Sequence, residues 1–61
     1  MPVVTIQMLE GRTVEQKREI VAAITDVIVK IAKVPPDATM VIMHDVPRSN
    51  WSKAGKLYSD S

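Results

Sequence analysis

One long amphipathic segment with well-marked ends lies between two short apolar runs, and that order leaves few folds open to the chain. Thr13-Val14-Glu15-Gln16 has the T-x-x-Q form of a capping box, in which side chains at both ends of the first turn satisfy backbone N–H groups. Glu15 places a negative charge where the helix dipole favours one. Ile20, Ile24, Val27 and Ile31 then recur at helical spacing, widened by Val21 and Ile28 into one apolar stripe. Glu15, Lys17, Arg18, Asp26 and Lys30 belong to the more polar side, and Lys30 and Lys33 suit the C-terminal end. The helix is expected to run to about Lys33, and Pro35-Pro36 stops it. On either side, Val3 to Leu9 and Thr39 to Val46 read as strands, the second ended by Pro47. A strand, a helix of this length and a second strand form a β-α-β unit, with parallel pairing and a right-handed crossover.

Such a unit is too little to stand alone. A chain of 61 residues is one domain, here residues 1–61. A domain of that size buries only ~60% of its unfolded surface. Disulfides and thiolate metal sites are excluded by the absence of cysteine, and a multi-histidine metal site within one chain by the single histidine, His44. Oligomerisation remains, and a 46% hydrophobic content fits it. The first strand agrees: Val4, Ile6 and Met8 fall on one face and Val3, Thr5, Gln7 and Leu9 on the other. Both faces are partly apolar, as expected of a strand covered by its own helix and by a partner. The tail from Arg48 onward is polar and turn-rich. Asn50 and Gly55 offer bends and Trp51 an anchor, which predicts a short hairpin or loop packed on another subunit.

Several classes are disfavoured. The net charge is +1 and the basic residues are scattered, so nucleic-acid binding is not expected. No apolar run approaches the ~20 residues of a membrane span. No basic segment followed by an apolar run opens the chain, so a cytoplasmic location is the default expectation.

Proline in second place carries the chemical question. Pro2 is tolerated as the first residue of a strand. It is also a small second residue, of the kind that permits removal of Met1. The chain would then begin with a secondary amine, and a free α-amino group titrates near ~8. Desolvation and nearby cations lower such a value, and an amine neutral at working pH can act as a general base.

With "PVVTI" at the start, "MLEGRTVEQKR" at the turn into the helix and "NWSKAGKL" near the end, the chain resembles the 4-oxalocrotonate tautomerase family over nearly its whole length. The resemblance implies an α/β fold of the tautomerase/MIF-like kind: two parallel strands, one long helix and a short C-terminal hairpin, oligomerising to complete the sheet. It implies a homohexamer built as a trimer of dimers, and no metal or organic cofactor. The implied activity is an enol–keto proton shift in a 2-hydroxydienoate or 2-oxo acid, as in 2-hydroxymuconate ketonising during aromatic-compound catabolism. Pro2 would be the catalytic base and acid. Arg12 would hold a carboxylate or stabilise the oxyanion. Trp51 matches an aromatic position at the mouth of the site.

The sequence departs from the family at one telling place. The best-known members carry a second arginine in the second strand, where this chain has Met40. Methionine cannot bind a carboxylate. Arg48, the arginine nearest the Trp51 segment, is the candidate to replace it from another subunit. Two alternatives stay open: a non-catalytic oligomeric scaffold or small-molecule-binding subunit with a lapsed site, or a hydratase or dehalogenase, which would want an added water-activating carboxylate. His44 and Asp45 are adjacent in a strand and so face opposite ways. His44 is expected to be a core or interface residue, Lys53 and Lys56 solvated, and Met8, Met40 and Met43 apolar filling.

Overall fold

In the computed structural model, which describes residues 1–60, β1 covers Val3–Leu9 and is followed by the helix α1, Val14–Ala32. A single 3-10 turn at Pro36–Ala38 leads into β2, Met40–Val46. A second 3-10 turn, Arg48–Asn50, precedes a hairpin of β3 (Ser52–Lys53) and β4 (Lys56–Leu57). β1 and β2 pair in parallel, Val3 opposite Met40 through to Leu9 opposite Val46. This is the β-α-β unit with a C-terminal hairpin that the sequence predicts.

The local chemistry accounts for the element ends. Thr13 Oγ1 accepts from the Gln16 backbone N–H at 3.1 Å, and Gln16 Oε1 accepts from the Thr13 N–H at 3.0 Å. The capping box is therefore complete. At the other end Lys33 adopts φ 57°, a left-handed cap, before the two prolines. β2 starts one residue later than the Thr39 expected. Thr39 is held in the 3-10 turn, its N–H donating to Pro36 O at 3.1 Å and its hydroxyl to Pro35 O at 3.3 Å. Gly11, at φ 118°, makes the bend between β1 and α1, a conformation that favours glycine.

Packing within one chain is thin. No described residue is fully buried. The radius of gyration is 14.6 Å, whereas a globular chain of this length has ~10.5 Å. The accessible surface is 4728 Å², against ~4,000 Å² for a folded monomer of this mass. Val4, Ile6 and Met8 turn toward the helix and are half-buried, as are Ile20, Val21, Ile24 and Ile28. The predicted stripe is only partly used: Val27 and Ile31 remain 53% and 75% exposed. A 19-residue helix is about 28 Å long, whereas a seven-residue strand spans about 23 Å, so the last turn overhangs the sheet. Val27 instead lines an open apolar groove of about 300 Å³ with Val4, Ala23, Ile24 and Ile28.

The opposite sheet face is bare. Val3, Met40 and Ile42 are 53%, 47% and 47% exposed. Thr5, Gln7 and His44 share this face, and the register sets His44 beside Gln7. His44 is thus exposed in the single chain, on a surface suited to an interface. Asp45 points the other way and forms an ion pair with Lys17 at the start of the helix. That clip joins β2 to α1. Lys17, assigned to the polar side of the helix, is half-buried here. No helix among the described residues is long and apolar enough to cross a membrane.

Candidate active site

Pro2 stands immediately before β1, half-buried. Its carbonyl accepts from the Met40 N–H at 3.0 Å, which ties the start of β1 to the start of β2. The pyrrolidine ring has no N–H to contribute to the ladder, and none is needed at this position. Met1, ahead of it, is 79% exposed. Met40 occupies the adjacent strand, opposite Val3, with its side chain on the open sheet face.

The other candidate residues lie at the far end of the sheet. The Glu10 N–H donates to Val46 O at 3.0 Å and closes that end. Arg12 follows after the Gly11 bend, exposed, at the entry to the helix. Among the described residues it forms no ion pair. Trp51 is half-buried and lines a shallow cleft with Gln7, Val46, Asn50 and Ser52. Pro2 and Arg12 are separated by the whole of β1, seven residues, or roughly 23 Å at ~3.3 Å per residue. One arginine side chain cannot cover that span. A single chain therefore brings Pro2 together with Met40, and Arg12 into the same end of the sheet as Trp51, but does not unite the two groups.

The C-terminal segment is organised around Tyr58, which had no role in the sequence reading. Its N–H donates to Trp51 O at 2.9 Å, and the two rings are tilted at 42° with centroids 6.2 Å apart. Arg48 places its guanidinium 5.7 Å from the centre of the Tyr58 ring and donates to Tyr58 O at 3.4 Å. Such cation–π contacts fix the direction of an arginine as well as stabilising it. Between β3 and β4 the turn residues Ala54 and Gly55 have φ of 54° and 80°, the sign pattern of a type I′ hairpin turn. This turn sets Lys53 directly opposite Lys56. The two lysines are exposed, as expected, and line one open cleft with Arg48, Leu57 and Tyr58. The A-G dipeptide between two lysines was the signal that could have revealed this pairing.

Comparison with known proteins follows the same lines. The family model described as tautomerase enzyme matches residues 2–61. A 2-hydroxymuconate tautomerase of Comamonas testosteroni is 42% identical over 55 residues, covering 90% of this chain and 87% of its own. A crystal structure of a 4-oxalocrotonate tautomerase homologue superposes with a TM-score of 0.96 at 36% identity, over 100% of this chain and 97% of that one. A heterohexamer 4-oxalocrotonate tautomerase from Chloroflexus aurantiacus J-10-fl superposes with a TM-score of 0.91 at 32% identity, over 98% and 97% of the two chains.

Proposed function

The chain belongs to the tautomerase family, and from that premise we propose that it catalyses an enol–keto proton shift in a small 2-hydroxydienoate or 2-oxo acid such as 2-hydroxymuconate. The observation that carries this reading is the setting of Pro2. It is held at the lip of the sheet by the Met40 N–H, next to an exposed Met1. Removal of Met1 turns the Pro2 nitrogen from a tertiary amide into a secondary amine on a fixed strand. The neutral amine takes the hydroxyl proton of the enol. The electron pair moves to form the carbonyl, and the proton is returned to carbon. Arg12 holds the substrate carboxylate or the oxygen on which charge builds. Trp51 supplies an apolar wall.

Because Pro2 and Arg12 lie at opposite ends of one sheet, the site is made by more than one copy. A twofold axis that pairs like edges sets the strands of two chains antiparallel. The Pro2 end of one then meets the Arg12 end of the other. The bare face carrying Val3, Met40 and Ile42 and the thin packing of the single chain support assembly, as a homohexamer or with a second type of chain. Assembly also supplies the desolvation that an amine base needs.

The test is the rate of 2-hydroxymuconate ketonisation, followed by ultraviolet absorbance on protein whose intact mass shows Met1 absent. A rate well above buffer that falls ~10²-fold or more in Pro2→Ala supports the reading. A rate equal to buffer rejects it. A second reading, a binding subunit without catalysis, is favoured by one observation: an exposed methionine, Met40, beside Pro2. It predicts ligand binding with no turnover.

A further inference from the structure

Of the eight lysines and arginines in the chain, three line a single cleft. Exposed Arg48, Lys53 and Lys56 line an open cleft of about 200 Å³, with Leu57 and Tyr58 beside them. The placement is built rather than incidental. Lys53 and Lys56 are direct cross-strand partners, a pairing of like charges that destabilises a hairpin. The turn that imposes it holds Ala54 at φ 54°, in a region that non-glycine residues rarely occupy. Arg48 is steered to the same cleft by the Tyr58 ring and carbonyl. Among the described residues no carboxylate lies within ion-pairing distance of any of the three, and Asp45, the nearest acid before them in sequence, is taken by Lys17. Burial of three cations against another protein surface is costly unless acids pair with them there. This face therefore stays in water or meets an anion.

We propose that this cleft is a subsite for a carboxylate of a small organic dianion. Its wall includes Tyr58, whose ring centre is 6.2 Å from that of Trp51, so the cleft adjoins the segment that carries the indole. As the holder of the substrate's remote carboxylate, the subsite rests on the tautomerase reading. The dicarboxylate enol acid named above would then be held by Arg12 at one carboxylate and by the hairpin at the other. The hairpin cations would do what an uncharged Met40 cannot.

The chain has a single tryptophan, so fluorescence reports on this neighbourhood. Assembled wild-type protein is titrated with cis,cis-muconate, a dianion at neutral pH that has no enol to react. A saturable change is expected. In Lys53→Gln/Lys56→Gln the affinity falls about tenfold, and Lys53→Arg/Lys56→Arg restores it. Equal affinity in wild type and the glutamine pair, or no saturable change in wild type, overturns the subsite. If the glutamine pair alters the assembly by sedimentation, Arg48→Gln carries the same expected loss and the same criterion. Ketonisation is read in parallel. Muconate binding that depends on the lysines, without turnover, refutes the tautomerase reading and keeps the dianion site. Turnover of 2-hydroxymuconate with the same KM in wild type and the glutamine pair refutes the subsite and keeps the tautomerase reading.

Discussion

Pro2 and Arg12 flank β1 from its two ends, with seven strand residues between them and roughly 23 Å of extended backbone. The separation is a property of the strand and no side-chain rotation removes it. If both act on one substrate molecule, they come from different chains.

Subunit complementation tests this directly. Pro2→Ala and Arg12→Ala chains, each expected to lose ~10²-fold or more in kcat/KM, are unfolded together and reassembled. Mixed oligomers contain sites with one intact Pro2 and one intact Arg12, and activity is expected to return to a measurable fraction of wild type. Activity of the mixture no higher than that of the separate variants would place both residues in one chain.

The bare sheet face makes the second prediction. Ile42 is 47% exposed in the single chain, and a charge there would be desolvated on assembly. Ile42→Glu is expected to abolish self-association and, with it, most helical circular dichroism, since a two-stranded sheet with one helix is marginal alone. Sedimentation velocity reads the first effect. Wild-type protein, by the same reasoning, should show a melting temperature that rises with concentration.

The Lys17–Asp45 ion pair joins helix and strand across a partly exposed surface, with side chains 29% and 41% exposed. Its worth is correspondingly modest, about 0.2–1 kcal/mol. Asp45→Asn and Lys17→Gln should each lower thermal stability slightly. The double variant should fall short of the sum, and salt should narrow the difference. A thermal double-mutant cycle measures all three.

Removal of the helix cap should cost more. Thr13→Ala deletes the oxygen that accepts from the Gln16 N–H and is expected to lower stability by about 1 kcal/mol. Thr13→Ser keeps the oxygen and should stay near wild type. Denaturant midpoints at fixed protein concentration distinguish the two.

Much of this fold is legible in the chain itself because its elements end for local reasons. Thr13 and Gln16 reach only each other, and Pro35-Pro36 acts on its own backbone, so α1 has its ends wherever it packs. The alternation in Val3 to Leu9 likewise separates a helix-facing set from an outward set without reference to the rest of the molecule. Where the reading fell short, distance was involved. Val27 and Ile31 carry the right spacing for the buried stripe, but whether a sheet lies beneath them depends on the relative lengths of helix and strands. Lys17 reads as a polar-face residue until Asp45 arrives beside it from 28 positions along the chain.

The sequence by itself determined the kinds of element, their order and the need for partners, since capping, periodicity, proline stops and small size are properties of neighbouring residues and of length. Only the tertiary structure decided which distant residues meet. The parallel register put Met40 beside Pro2 and left Arg12 a strand's length away. That register is settled by the packing of segments far apart in sequence, and no local pattern in those segments encodes it.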